Sequence, residues 1–236
     1  MPVESLFVLH RRRDVSRVEG FSDAVFGFAV TLLVVSLEVP KTFGELQEAM
    51  RGFPAFAVSF ALLFMIWWRH YQFFRTYDLE DTAVISLTGV LLFVVLFYVY
   101  PLKFVWSLVF APVVGGTGRA TIAARDAATL FEIYGAGGAA AFGVLAALYA
   151  HAYARRRELA LSTLEIVETR VDIYRNLGIS GIGVLSAALA AVLKLVAPGL
   201  VGLAGFVYFG IGISEFTLGE YANRARKKLE ASSRVG

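Results

Sequence analysis

The sequence predicts an all-α membrane protein with six transmembrane helices, and two observations lead to this prediction. First, 58% of the 236 residues are hydrophobic and only 17% are charged, whereas soluble domains usually have about 45–50% apolar and about 25% charged residues. Second, the apolar residues form blocks of about 20, the length at which a helix crosses the hydrocarbon of a bilayer. The alternating pattern of membrane barrel strands is absent. We therefore treat residues 1–236 as a single six-helix transmembrane domain.

The boundaries of the six blocks follow from residues that end or interrupt apolar helices. Pro40 closes the first block, and the third continues through Pro101. The fourth is rich in alanine and glycine, which indicates close packing between helices. The segment Ala197-Pro198-Gly199 favours an antiparallel hairpin between the fifth and sixth. The predicted spans are residues 18–39, 53–75, 83–111, 127–154, 173–196 and 200–219, with a polar loop at 41–51 and a charged linker at 155–170.

The distribution of basic residues predicts the orientation of the chain. If six spans alternate across the membrane, sixteen of the 22 lysines and arginines fall on the side of the N-terminus. Positive residues accumulate on the cytoplasmic side of membrane proteins, so we expect both termini to be cytoplasmic in a multi-pass protein of the cell membrane. This asymmetry explains the basic pI of 9.2. The predicted surroundings are membrane lipid, and no nucleic-acid partner is predicted.

The composition argues against an enzyme. The chain has no cysteine, which excludes disulfides, thiolate metal sites and cysteine nucleophiles. Its three histidines, His10, His70 and His151, have no spacing typical of a metal cluster or a histidine-based triad. We therefore predict no catalytic residues, no cofactor and no resident metal ion.

The first span carries ionisable residues that need partners. Ser16 and Glu19 fit a capping box, which would place Asp23 two turns into the helix. Arg17 and Asp23 are about 240° apart around a helix, so each is expected to find its partner on a neighbouring span. His70 lies at the same predicted depth, and we expect an interhelix network of Arg17, Ser22, Asp23 and His70. The alternative is that these residues act separately, as a positive-inside anchor, a cap and an interfacial side chain.

One face of the first span combines apolar side chains with a single hydroxyl. At about 100° per residue, Ala24, Phe28, Thr31, Leu32 and Val35 form one stripe. Only Thr31 offers an oxygen atom. From the pattern alone, such a stripe is also typical of lipid contact or of buried helix packing.

These residues resemble a known family. The chain has Arg17, Phe21, Ser22 and Asp23 in the pattern Arg-x-x-x-Phe-Ser-Asp, followed by Thr31-Leu32-Leu33 and Pro40. The second span has Ser59-Phe60, Ile66-Trp67 and His70. The first two spans are thereby similar to the transmembrane protein 175 family, which comprises endosomal/lysosomal potassium channels and their bacterial relatives, here in the single six-span form.

The resemblance implies a cation channel in which the first spans of a homotetramer surround the pore. It implies that K⁺ and other monovalent cations pass a stripe formed by Phe28, Thr31, Leu32 and Val35. It also implies that Arg17, Asp23 and His70 form the interhelix network. The chain departs from the family at Phe28, since the family usually has isoleucine or leucine at its narrowest apolar position.

A mechanism follows from what the chain contains and lacks. It has no Thr-Val-Gly-Tyr-Gly segment, so it lacks the carbonyl filter of ordinary potassium channels. A hydrophobic constriction excludes water when narrow, and partial dehydration at its opening favours K⁺ modestly over Na⁺. The alternative is a proton- or ion-coupled secondary transporter that uses Glu132 or Glu215. A purely structural membrane protein is a third possibility.

Overall fold

The computed structural model describes residues 14–35, 40–114 and 124–233, with side chains at all of these positions except 35, 112–114, 124–125 and 228–233. The described residues form helices and turns, and no strand occurs among them, which confirms the predicted all-α class. The helices are α1 (Arg17–Val35), α2 (Phe43–Arg51), α3 (Phe53–Tyr77), α4 (Thr82–Val114), α5 (Ala124–Ala154), α6 (Thr163–Val196), α7 (Leu203–Phe206) and α8 (Gly210–Ser233), with 3-10 turns at Pro198–Leu200 and Val207–Phe209.

Five helical segments of the described chain are long and apolar enough to cross a membrane. They are Phe53–Tyr77, Thr82–Ala111, Asp126–Ala154, Thr163–Val196 and Pro198–Lys227. These segments overlap the predicted second to sixth spans, so the chain is a multi-pass membrane protein. The predicted first span overlaps α1, a helix of 19 residues that begins one residue before the span. Residues 36–39 of the span lie outside the described residues. The six-span count and the side of the termini stay predictions; residues 1–13 and 234–236 also lie outside the described chain.

Two segments that were predicted as non-helical connections between spans contain helical residues. Residues 43–51, expected as a polar loop, form α2, because the Thr42 hydroxyl accepts a hydrogen bond from the backbone N–H of Glu45 at 3.2 Å and caps the helix. Residue 163, within the expected charged linker, begins α6. There the Ser162 hydroxyl accepts from the Glu165 backbone N–H at 3.3 Å, and the Glu165 carboxylate accepts from the Ser162 N–H at 2.7 Å. This capping box starts α6 ten residues before the predicted span.

The sixth predicted span is not one regular helix. It is divided into α7, the 3-10 turn Val207–Phe209 and α8. Four glycines between residues 202 and 212 reduce the helix propensity of this segment. The helical segment also continues past the predicted end at residue 219, because α8 extends to Ser233.

The backbones of α5 and α6 are in close contact. A methyl group placed on Gly135 would lie 2.5 Å from the carbonyl oxygen of Gly183, and one on Gly183 would lie 2.7 Å from the carbonyl oxygen of Gly135. Both distances are shorter than any tolerable contact, so the two backbones approach each other only because both residues are glycine. The close packing predicted from the glycines of the fourth span is confirmed.

The turn between α3 and α4 is fixed to the end of α5 by a carboxylate. Asp81 accepts a hydrogen bond from the backbone N–H of Val84 at 3.0 Å, and its other oxygen lies 2.7 Å from His151 Nε2 and 3.1 Å from Arg155. Burial alone would raise the pKa of Asp81, but the hydrogen bonds and the Arg155 charge outweigh it and hold that pKa below its usual range. Asp81 therefore stabilises this end of the bundle as an anion.

Helix α1 packs against α3 and α4 with one face only. Phe26, Ala29 and Leu33 are exposed by 3%, 0% and 0%, and they belong to the main apolar core. The opposite face of α1 is left open. This one-sided packing places the candidate site on the surface of the single chain.

Candidate functional site

The N-terminus of α1 is fixed by the predicted capping box. The Ser16 hydroxyl accepts a hydrogen bond from the Glu19 backbone N–H at 3.0 Å, and the Glu19 carboxylate accepts one from the Ser16 N–H at 3.4 Å. The helix begins at Arg17, so Asp23 lies in its second turn. The prediction of this cap is confirmed.

Glu19 also joins α1 to α3. Its side chain is 1% exposed, and its Oε1 lies 3.3 Å from Nε of Arg75. The guanidinium of Arg75 lies over the ring of Tyr71, 5.2 Å from its centroid. The sequence analysis missed this ion pair, although a signal existed: opposite charges at the start of one predicted span and the end of the next meet when the two spans are antiparallel.

Asp23 has a partner on the expected neighbouring helix, but a different residue from the one predicted. The indole Nε1 of Trp67 donates a hydrogen bond to Oδ1 of Asp23 at 2.7 Å. The sequence analysis used Trp67 only as part of the Ile66-Trp67 pattern of the second span and predicted no hydrogen-bond partner for it. A tryptophan N–H in an apolar setting seeks an acceptor, and that requirement is the signal that could have found this pair.

His70 lies in a different environment. It is 1% exposed, and its Nε2 lies 3.4 Å from the hydroxyl of Thr88 on α4. Its ring packs against those of Phe26 and Phe74, with centroids 6.0 and 4.9 Å apart. His70 therefore contacts α1 through an aromatic ring and α4 through a polar contact.

The other two predicted network residues are not joined to this group either. The Ser22 hydroxyl is fully buried and donates to the backbone carbonyl of Val18 at 2.7 Å. Arg17 is exposed, and no hydrogen bond or ion pair joins it to another residue that the structure describes. Within the described part of one chain, Arg17, Ser22, Asp23 and His70 do not form a single hydrogen-bonded network.

The open face of α1 contains much of the predicted stripe. Phe21 and Phe28 are 64% and 59% exposed, and Ala24 and Thr31 are exposed between and beyond them. The Thr31 hydroxyl donates to the backbone carbonyl of Phe28 at 2.7 Å. Because its proton is used within the helix, the exposed Thr31 oxygen can act toward other groups only as an acceptor.

Leu32 and Val35 are placed differently from Phe28 and Thr31. Leu32 is partly buried and packs against the main apolar core. Val34, which the predicted stripe omitted, is 43% exposed and follows Phe28 and Thr31 along the open face. The side chain of Val35 lies outside the described side chains. The roles of Leu32 and Val35 stay predictions.

Comparison with known proteins identifies the family. The sequence model described as "Endosomal/lysosomal potassium channel TMEM175" matches residues 17–98, which include α1, α3 and the first half of α4. A protein of Marivirga tractuosa named "Potassium channel" is 36% identical over 211 residues, which cover 84% of each chain. The chain belongs to the TMEM175 family. The resemblance drawn from Arg17, Phe21, Ser22 and Asp23 is thereby confirmed.

Solved structures agree with this assignment to the TMEM175 family. A crystal structure of the potassium channel MtTMEM175, as a threonine-to-alanine variant in complex with a nanobody–MBP fusion protein, has a TM-score of 0.79 with this chain at 34% identity. The match covers 91% of this chain and 96% of that one. A second relative, a potassium channel of Chamaesiphon minutus, is 34% identical over 96 residues, which are 37% of this chain and 47% of that protein.

TMEM175 membership also fits the chemistry of the site. The relatives are potassium channels and not enzymes. Among the described residues, no group of three or more histidine and carboxylate side chains could hold a metal ion. The open face of α1 offers phenyl rings and one hydroxyl oxygen, which suit transient contact with a partly hydrated cation and not tight chelation.

Proposed function

We propose that this chain is a potassium-permeable cation channel whose pore is lined by α1 in a homotetramer. The observation that carries the proposal is the open face of α1, where Phe28 is 59% exposed and Thr31 is exposed while the opposite face is buried in the core. Membership of a family of potassium channels supports this use of the face. In the proposed assembly, four copies of α1 turn this face toward a common axis.

The rings of Phe28 form the hydrophobic constriction in this proposal. An apolar ring of side chains excludes water when it is narrow, and a bare cation there faces a large desolvation cost. The Thr31 oxygen lies one turn further along α1 and replaces part of the water that the ion loses. K⁺ releases water more readily than Na⁺, so the constriction favours K⁺. The preference is modest because the chain has no carbonyl filter. Leu32 and Val35 extend the constriction.

The proposed orientation has six spans, both termini in the cytoplasm and the protein in the cell membrane. Its support is that described basic residues gather at one end of the bundle. Arg75 meets Glu19 at the start of α1. Arg69 and Arg175 meet Glu215 on α8 at 3.0 and 2.8 Å. An end rich in arginine is expected on the cytoplasmic side.

The alternative of a coupled transporter has less support. It needs an ionisable group that binds and releases its ion within the membrane. Of the two candidates, Glu215 is held by two arginines, as described above, and Glu132 lies 3.5 Å from Lys194. Both carboxylates therefore already have structural partners. Flux that rises linearly with ion concentration favours the channel, and saturable flux coupled to a second ion favours the transporter.

The experiment that tests the channel compares two variants with matched controls. Phe28→Ala and Thr31→Ala are reconstituted, and K⁺ current and the reversal potential under opposing K⁺ and Na⁺ are measured. Phe216→Ala controls for loss of an exposed ring, since Phe216 is 72% exposed on α8. Thr217→Ala controls for the hydroxyl, since Thr217 donates to the carbonyl three residues before it, as Thr31 does.

We expect Phe28→Ala to raise conductance and Thr31→Ala to lower the K⁺/Na⁺ permeability ratio, with both α8 controls like the wild type. Unchanged currents and reversal potentials in both α1 variants would show that this face of α1 does not line the pore. Subunit counting by native mass spectrometry tests the tetramer separately, and any other stoichiometry contradicts it.

A further inference from the structure

Lys103 is the one charged residue in the sequence of α4, a helix of 33 residues. An ionisable side chain in such an apolar helix is costly to bury and marks a candidate functional position. Its Nζ donates a hydrogen bond to the backbone carbonyl oxygen of Leu33 on α1 at 3.2 Å. The amine of α4 therefore reaches the backbone of the helix that carries the open face.

The contact lies beside a small hollow between α1 and α4. The hollow has a volume of about 220 Å³ and is lined by Lys103 together with Leu32, Leu33, Val99, Tyr100, Phe104 and Ser107. Ser107 donates its hydroxyl to the backbone carbonyl of Lys103 at 2.9 Å. Space beside the lysine stem leaves room for α1 to shift against α4 if the amine no longer holds it.

Among the residues that the structure describes, polar contacts attach α1 to the bundle near both of its ends. Near its N-terminus, Glu19 meets Arg75 and Asp23 meets Trp67, both on α3. Near its C-terminus, Lys103 reaches Leu33 from α4. These two sets of contacts are about 15–20 Å apart at 1.5 Å per residue.

The contact between Lys103 and Leu33 lies next to Thr31, a residue of the predicted stripe. Thr31 precedes Leu33 by two residues, which is about 3 Å along the helix axis. A displacement of the Leu33 backbone away from α4 would therefore move Thr31 with it, and Phe28 to a lesser extent. The buried side chains of this part of α1, including Ala29 and Leu33, are apolar and resist sliding less than a directional bond does.

We propose that Lys103 is a positioning residue for ion conduction, which holds the C-terminal half of α1 against α4 and thereby sets the geometry of the constriction at Phe28 and Thr31. This inference rests on the proposed function of α1. Hydrogen bonds with an ionised donor are roughly twice as strong as neutral ones, and low-dielectric surroundings strengthen them further. Arginine at position 103 keeps the charge and the donors, while methionine keeps an unbranched apolar stem and loses both.

The first test uses the absence of cysteine from the chain. Thr31→Cys introduces a single thiol on the open face, and its modification by a small cationic methanethiosulfonate added to both sides of liposomes reports access to that position. In the K103M background we expect the rate to rise about tenfold, because a charge-assisted hydrogen bond that restrains the helix is lost. In the K103R background we expect the wild-type rate within about twofold, since the donor remains.

The second test measures the reversal potential under opposing K⁺ and Na⁺ without the cysteine. K103M should lower the K⁺/Na⁺ permeability ratio, and K103R should preserve it. Ser107→Ala is the matched control, because it alters the same hollow and leaves the amine of Lys103 in place. We expect it to leave both readouts unchanged.

The outcomes separate this inference from the proposed function. If the Thr31→Cys thiol is not modified in the wild-type background and Thr31→Ala conducts normally, the face is not the pore and the proposed function fails. If the thiol reacts but K103M changes neither its rate nor the permeability ratio, the inference about Lys103 is wrong and the channel proposal stands. K103Q replaces K103M if that variant is not recovered folded. Failure of both neutral variants to fold, with K103R folded, would assign Lys103 a purely structural role and overturn the inference.

Discussion

Trp67 and Asp23 form a hydrogen bond of 2.7 Å between α3 and α1, and Asp23 lies about 7.5 Å along the helix axis before the exposed Phe28. The carboxylate is partly buried, so it needs donors in place of the water that it has lost. The indole N–H is one such donor on the neighbouring helix. A carboxylate that appears unpaired in the sequence of α1 thus links the candidate pore helix to α3.

Replacing Trp67 by phenylalanine should destabilise the protein by about 1.5–3 kcal/mol, the usual contribution of a hydrogen bond to a charged group. Thermal melting of the protein in detergent, followed by size-exclusion chromatography, measures the loss. Trp68→Phe is the control, since Trp68 is 45% exposed. Equal melting temperatures for the two variants would mean that the Trp67 bond contributes nothing.

Asp23→Asn should reduce assembly or stability more than it changes selectivity. The asparagine oxygen can still accept from Trp67 Nε1, but the negative charge is lost, and hydrogen bonds to neutral acceptors are weaker. The fraction of assembled protein and the K⁺/Na⁺ reversal potential are measured on the same preparation. A normally assembled variant with altered selectivity would place Asp23 in the ion pathway and contradict a bracing role.

The sequence predicts the helices better than it predicts which side chains form hydrogen bonds between them. The long apolar spans were predictable because hydrophobic length dominates in a membrane. The pattern around Arg17 and Asp23 also predicted the family. The partner of Asp23 was not predictable, because Trp67 and His70 lie near the same end of α3 and are only about 60° apart around the helix. Both side chains contact α1, His70 through the ring of Phe26 and Trp67 through Asp23, and residue spacing alone does not decide which of them meets the carboxylate.

The sequence also does not predict which residues of the stripe on α1 are buried and which are exposed. The sequence cannot distinguish a lipid-facing, a buried and a pore-facing apolar side chain, since all three are hydrophobic. Leu32, which belongs to the predicted stripe with Phe28 and Thr31, is also partly buried against the core, and its role stays a prediction. The division of the last span by glycines was equally hidden, because glycine is also common in intact transmembrane helices.

The ion pair between Glu19 and Arg75 should contribute more to the stability of the protein than its N–O distance suggests. Because Glu19 is 1% exposed, Glu19→Gln removes the buried charge that faces Arg75 and should cost about 3–5 kcal/mol. Glu48→Gln is the matched control, since its pair with Arg51 has the same N–O distance of 3.3 Å but is largely exposed. There the expected cost is about 0–1 kcal/mol. Thermal melting compares the two variants, and equal losses would contradict the effect of burial.

Asp81 should make the protein sensitive to acid. Its pKa is held below the usual range, so the stabilisation is complete above the ordinary aspartate value of about 3.9 and is lost as the pH falls through the lower folded-state pKa. Melting temperatures measured from neutral pH downward should fall more steeply for the wild type than for Asp81→Asn. If the melting temperatures of the two proteins fall equally with pH, Asp81 does not contribute to the acid sensitivity.

The contact between Gly135 and Gly183 predicts opposite effects for glycine substitutions on the same helix. Gly183→Ala would place a methyl group 2.7 Å from the Gly135 carbonyl oxygen, so α5 and α6 must separate, at a cost of about 1–3 kcal/mol or more. Gly181→Ala is the control, because no atom lies within 4 Å of the added methyl group and alanine favours the helix by about 1 kcal/mol. Melting temperatures should therefore fall for the first variant and rise for the second. A Gly183→Ala protein as stable as the wild type would show that the two helices do not touch at this point.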